Sequence, residues 1–233
     1  MALSTLQRHV CRTLADARRA DGESYVAGGV ALSVALDTQR LSRDLDLFHD
    51  TAEAVARTWA RDSAFRFFPL VEHADLGLTL HPFDLATNKV LALVGRLEAR
   101  DWVDVIACHE RLQPLGYLAW AACGKDPGFT PQGILEHARR SSRYSAEEIA
   151  TLAFEGPPPS APDLARRWHG ALERAEAIID RLPAAHVGEA VVSPEGGAFT
   201  GPAAAIEAAL AASEITFHRG RLGGAWPRVR AKR

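Results

Sequence analysis

Asp44 and Asp46 stand either side of one leucine in "RLSRDLDLF", shortly after the pair Gly28-Gly29. On a strand, alternate positions share a face, so both carboxylates project together. They repel unless a cation or an arginine lies between them. Oxygen ligands placed this way suit a hard divalent cation, Mg²⁺ or Mn²⁺, which usually takes phosphate oxygens as well. Gly28 and Gly29 follow a short apolar run and precede a helical one. Glycines there let the backbone approach an anion, and the first N–H groups of the helix then face it. Arg40 and Ser42 occupy the alternate positions before Asp44. Gly-Gly alone is usually a turn, and Asp-x-Asp alone is usually a solvated strand end. Together they describe a triphosphate held at a helix N-terminus, with metal on two aspartates of the next strand.

The chain around this motif has 233 residues, 47% apolar and 24% charged, with a net charge of −2. That is the balance of a globular protein of one large domain, or of one domain with an appendage. It gives no global basic field for nucleic acid or a membrane surface. The three cysteines, Cys11, Cys108 and Cys123, are odd in number and far apart. They read as small buried hydrophobes in a reducing compartment. No stretch approaches the ~20 apolar residues of a membrane span, and a cytoplasmic protein without membrane partners is expected. The nine histidines are scattered without metal-ligand spacing. Trp59, Trp102, Trp120 and Trp168 read as core.

Elements that would position the motif follow from periodicity. A helix is expected over 3–20, a strand at "SYVAGG", and a helix starting just after Gly29. A strand follows at "LDLF", then a helix over 51–60 and a strand or extended edge over 64–71. From Phe83 the pattern is helical, in several segments, to about residue 155. "EGPPPSAP" is a linker by composition. Beyond it come a long helix, a hairpin in "HVGEAVVSPEGGAFT", a last helix and a basic, solvated tail that reads as irregular. The fold class is α/β (α+β), a small mixed-sheet core followed by a helical unit. Residues 1–82 form the core, 83–155 the helical unit that completes the site, and 156–233 the linker and C-terminal extension.

"GGVAL…RLSRDLDLF" resembles the first motif of the AbiEii/AbiGii-type nucleotidyltransferases, Gly-Gly-Thr-Ala-Leu followed by Arg-x-Ser-x-Asp-x-Asp. "DLATNKVLALVGRLEARDWVDV" is similar to that family's Lys-x-x-Ala-x-x-x-Arg helix and its Arg-Asp-x-x-Asp, matched here by Lys89, Ala92, Arg96, Arg100, Asp101 and Asp104. The resemblance covers roughly residues 20 to 145. The family belongs to the DNA polymerase-β-like superfamily and includes toxins of type IV toxin–antitoxin systems. It implies a nucleotidyltransferase core and a nucleoside triphosphate substrate. It also implies an RNA acceptor such as a tRNA 3′ end, and an antitoxin protein or a second copy as partner. Val30 stands where the family has Thr or Ser, which removes a hydroxyl contact to phosphate.

Residue roles follow from both readings. Asp44 and Asp46 are the metal ligands. Gly28, Gly29, Arg40, Ser42 and Arg96 hold the nucleotide. Lys89 and Arg96 lie two helical turns apart on one face and meet phosphate charge. Arg100, Asp101 and Asp104 read as a polar cluster that locks the helical unit against the core, unless Asp101 or Asp104 orients Lys89 directly. Bracing is favoured for Arg100 and Asp104, and Asp101, open between the two roles, counts with the catalytic set. The resembled fold carries a third carboxylate on a later strand, as base and second metal ligand. Asp62 is the first candidate for it, and Glu72 and Asp75 are weaker ones. Two alternatives share these residues: transfer to a small-molecule acceptor, and a degenerate fold that serves as a nucleotide-binding or interaction module.

Overall fold

The computed structural model describes residues 3, 5, 7–12, 15, 24–42, 44–49, 65–140 and 144–227. The expected helix at 51–60, Trp59 and Asp62 lie outside the described residues.

The chain is mixed α/β, built on a small sheet with parallel and antiparallel strands. β1 (Ser24–Ala27) carries Tyr25, Val26 and Ala27, all buried, so it lies inside the sheet. It runs straight into α1 (Gly28–Ala35), which starts at Gly28 and not after Gly29. Leu36 to Gln39 turn the chain, and β2 (Arg40–Leu41) leads to β3 (Asp46–His49). β3 pairs antiparallel with β1 and sets Asp46 opposite Ala27. β4 (Phe65–Arg66), β5 (Val71–His73) and β6 (Gly77–Thr79) follow. β5 and β6 form a hairpin, and β6 runs parallel to β1 with Thr79 beside Val26. The strand order is β3-β1-β6-β5.

The strand expected over 64–71 is broken. Asp84, fully buried, accepts the N–H groups of Phe67 and Phe68 at 2.9 and 3.0 Å. These amides are satisfied by a side chain and not by a ladder, and Pro69 has none to offer.

The helical unit opens with α2 (Pro82–Arg96). His81 caps it, accepting from Phe83 N–H at 3.2 Å, and Pro82 takes the first position. α3 (Ala99–Arg111), α4 (Leu115–Ala122), α5 (Pro131–Arg140), α6 (Ala146–Ala150) and β7 (Ala153–Phe154), which pairs antiparallel with β2, follow. α6 begins with a capping box between Ser145 and Glu148. α4, "LGYLAWAA", is buried at every residue and lies against α2, α5 and the long α7 (Ala161–Ile179). A helix apolar all round belongs in the core. Gly116 permits it, since a Cβ there would lie 2.8 Å from Ala175 O. Trp102, Trp120 and Trp168 are core residues, and the three cysteines are buried and free.

The C-terminal extension is tied back to the rest. β8 (Ala190–Val192) turns back at Gly196 in a short form of the expected hairpin: Val192 bridges Ala198 antiparallel, Ser193 N–H donates to Gly197 O at 2.8 Å and Phe199 N–H to Val191 O at 3.2 Å. Its other edge pairs with β9 (Thr216–His218), beyond α8 (Ile206–Ala211). Gln113 Nε2 donates to Val191 O and Phe199 O at 2.9 and 2.7 Å. β10 (Arg221–Leu222) then pairs with β4, and Ala225 N–H donates to Phe67 O at 3.1 Å. Among the described residues no helix is long and apolar enough to cross a membrane.

His109 on α3 makes this packing pH-sensitive. Its Nδ1 accepts from Leu115 N–H at 2.9 Å, and Arg174 Nη2 lies 2.9 Å from Nε2. Burial first, then the Arg174 guanidinium, push its pKa down to about 4 against the pull of Glu110. The unfolded chain therefore binds this proton more readily than the folded one between pH 6.5 and about 4. Stability is expected to fall as pH drops through that window and to be insensitive to this group above it. Burial lowers His81 in the same sense, against Asp84. Urea midpoints between pH 7 and 4 check this: His109→Gln should flatten part of the slope, and an unchanged slope would rule His109 out as its source.

Candidate functional site

The register of β1 on β3 builds the site. Ala27 is the last residue of β1 and Asp46 lies directly across from it, so the Asp46 carboxylate sits over Gly28. Gly28 has a φ of +69°, in the left-handed region, and a Cβ there would overlap Asp46 Oδ2. Gly29 is as tightly placed: a Cβ would lie 2.7 Å from Arg40 Nη2 and 2.8 Å from Ser42 Oγ. The Gly-Gly pair is thus a contact requirement imposed by Asp46, Arg40 and Ser42, as well as a helix start.

Gly28→Ala is expected to cost about 1–2 kcal/mol from its backbone conformation alone. It should also push Asp46 out of position. Thermal melting should show a drop of a few degrees, at roughly 2–4 °C per kcal/mol for a chain of this size. A melt unchanged from wild type would refute the crowding described here.

One open cleft of about 900 Å³ collects the motif residues. Gly28, Gly29, Arg40, Ser42, Asp44 and Asp46 form one wall, and the α2 stripe of Leu85, Asn88, Lys89, Ala92 and Arg96 forms the other. Arg100 closes one end, its Nη1 4.0 Å from Asp44 Oδ2. It was expected to brace the helical unit, but it faces the cleft instead.

Behind the α2 wall lies a chain of alternating charge. Arg40 donates to Asp104 through Nε at 2.5 Å and Nη2 at 2.8 Å. Lys89 Nζ lies 3.0 Å from both Asp104 and Asp101. Asp101 accepts from Arg96 Nε and Nη2 at 2.6 and 2.9 Å. Asp101 is fully buried and Lys89 is 7% exposed. Burial raises the Asp101 carboxyl, but the Arg96 hydrogen bond and the charge and hydrogen bond of Lys89 outweigh it and hold it below the usual carboxylate range. Arg96 is raised in turn, chiefly by its bond to Asp101.

This assigns the cations differently from their sequence roles. Lys89 is matched by two carboxylates, so little of its charge is left for a ligand. Asp101 does not reach the cleft; it positions Lys89 and Arg96. Arg40 is consumed by Asp104. Arg96 and Arg100, with side chains 44% and 39% exposed, are the cations with access to a bound anion, and both share Glu98, Arg100 Nε at 2.5 Å and Arg96 Nε at 3.9 Å. Guanidinium Nη1 of Arg96 remains to donate.

Asp46 has no hydrogen-bond partner among the described residues, and Asp44 is 76% exposed. Asp46 opens β3, but Asp44 lies two residues before it, outside the strand and beside Arg100, so the expected placement of both on one strand is not met. Two hard oxygen donors this close in the chain still fit a divalent cation that completes its shell with phosphate oxygens and water. The third carboxylate is not among the described residues. Thr79 shares the face of Val26, so Leu78 and Leu80 lie on the Asp46 side of β6 and are apolar. Glu72 pairs with Leu78 and shares that face, but three strand spacings, about 14 Å, separate β5 from β3. Asp75 is taken by Arg8 and Arg12 at 3.4 and 2.8 Å. No group of three or more metal-ligating side chains occurs among the described residues.

Sequence reasoning missed Asn88 as a lining residue, and missed the buried pair of Asp84 and Lys125 at 2.8 Å that anchors it. Asn88 stands beside Lys89 in the matched helix, and its place on the stripe was available from helical spacing. No protein-family model, curated protein or solved structure matches this chain.

Proposed function

We propose that the cleft is the site of a Mg²⁺-dependent nucleotidyltransferase, which moves a nucleoside monophosphate from a nucleoside triphosphate to an acceptor hydroxyl. The observation that carries this reading is the overlap of Asp46 with the space above Gly28, on the helix start that would cradle phosphate. Gly28, Gly29 and Val30 N–H groups donate to the phosphates. Arg96 and Arg100 neutralise charge on the leaving pyrophosphate. Asp44 and Asp46 would hold the metal, which supplies Lewis-acid polarisation of the phosphoryl group when bound. The buried charge chain ties α2 to α3 and so holds Arg96 and Arg100, one on each helix, in place.

The resemblance of "GGVAL…RLSRDLDLF" adds the acceptor, an RNA such as a tRNA 3′ end, and a toxin role with an antitoxin partner. The test is transfer of label from α-³²P-labelled ATP, CTP, GTP and UTP to total RNA with Mg²⁺. Labelled RNA with one nucleotide supports the reading. No label with any nucleotide, while nucleotide still binds, sinks transfer to RNA.

A second reading is favoured by one observation, the leucines at the Asp46 side of β6. It is a degenerate core that binds nucleotide without transferring it, and binding without transfer to any acceptor is its signature. Asp62, outside the described residues, is the acid whose replacement separates the two: Asp62→Asn should abolish transfer in the enzyme reading.

A further inference from the structure

Asn88 lines the cleft between Leu85 and Lys89. Its Oδ1 accepts from Lys125 Nζ at 2.7 Å. An ammonium only donates, so chemistry fixes which end of the amide faces it. Lys125 is itself anchored by the Asp84 carboxylate at 2.8 Å and by Asp84 O at 3.1 Å. The Asn88 amide nitrogen has no partner among the described residues. With Oδ1 turned to Lys125, the side chain meets a ligand chiefly with its two N–H donors.

Both walls of the cleft grade in the same sense. On α2 the stripe passes from Leu85 and Asn88 to Arg96, about 12 Å further along the helix. On the opposite wall Asp44 faces Arg100, Asp46 follows, and Phe48 lies beyond it on β3. Phosphate belongs at the arginine end. Phe48, Leu85 and Asn88 leave an aromatic ring, an aliphatic side chain and one fixed donor for the other end. That is the composition of a pocket for a flat heterocycle: apolar surface with a few placed polar groups.

We infer that Asn88 reads the nucleobase and selects a keto group over an amino group at pyrimidine position 4 or purine position 6. This rests on the nucleotide reading above. A keto oxygen accepts from the Asn88 amide. An exocyclic amine sets N–H against N–H and leaves both donors desolvated and unpaired.

The experiment measures Kd for UTP against CTP, and for ITP against ATP, all with Mg²⁺. It compares wild type, Asn88→Ala and Asn88→Asp. The keto member of each pair should bind about tenfold tighter to wild type, which corresponds to about 1.4 kcal/mol. Asn88→Ala should bring the ratio near one. Asn88→Asp should reverse it, since one carboxylate oxygen keeps Lys125 and the other accepts from an amine. No keto preference in wild type, or a preference unchanged in both variants, overturns base reading and leaves the triphosphate site standing. Failure of every nucleotide to bind wild type overturns both.

Discussion

Asp46→Ala is expected to lower nucleotidyl transfer by at least about 10³-fold and to leave the melting temperature nearly unchanged. The first half follows from its place over Gly28, where the proposed metal ligand and the proposed phosphate-binding helix start meet. Removing one preorganised electrostatic contact at a reacting phosphoryl group costs about 10²–10³ in rate, and losing the metal costs more. The second half follows from the lack of any hydrogen bond to this carboxylate among the described residues. Its removal strands no buried partner, and such changes usually stay within about 0.5 kcal/mol. Asp46→Asn should fail similarly in transfer, because an amide has the shape but not the charge. Retained transfer in either variant would move the chemistry elsewhere.

Asp101→Ala has the opposite profile. It is fully buried and accepts from both Lys89 and Arg96. Truncating it leaves Lys89 with Asp104 alone and Arg96 without its bidentate partner. Breaking a buried ion pair from one side costs about 3–5 kcal/mol, or roughly 6–20 °C in melting temperature at this chain length. Asp101→Asn keeps an acceptor oxygen and should cost less. The pH dependence has a definite sign. The folded pKa lies below 3.8, so Asp101 contributes stability at pH values above the unfolded carboxyl pKa. That contribution is lost only as pH falls through the depressed folded value. Wild type and Asp101→Asn should therefore converge in urea midpoint at strongly acidic pH. An Asp101→Ala protein as stable as wild type at pH 7 would mean the charge chain does not brace the α2 wall.

The two sides of the cleft were unequally legible. That Gly28, Gly29 and Asp46 meet was legible because a strand, a glycine turn and a helix start are encoded in residue type and short spacing; Asp44 was expected on the same strand and instead precedes it. The α2 stripe was legible from helical spacing for Lys89 and Arg96. Charge balance was not, because Arg40 and Asp104 come from β2 and α3 and no local pattern links them. Lys89 therefore looked like a free phosphate contact, and Arg100 like a brace. Strand order was equally hidden. Leu78 and Leu80 occupy the Asp46 side only because β6 joins β1 in parallel, a choice of partner that periodicity does not specify. The tail was read as irregular because β10 finds its partner in β4, far upstream, where neither two-residue strand carries a pattern of its own.

The central claim is that a metal–triphosphate complex sits between the Gly28-Gly29 helix start and the Asp44/Asp46 pair. The most direct measurement is a ¹H–¹⁵N spectrum titrated with a non-hydrolysable α,β-methylene nucleoside triphosphate, with Mg²⁺ and then with EDTA. The account predicts that the Gly28, Gly29 and Val30 amides shift with Mg²⁺ present, and that the shifts collapse on chelation or in Asp46→Asn. Shifts confined to other surfaces, or none at all, would contradict it.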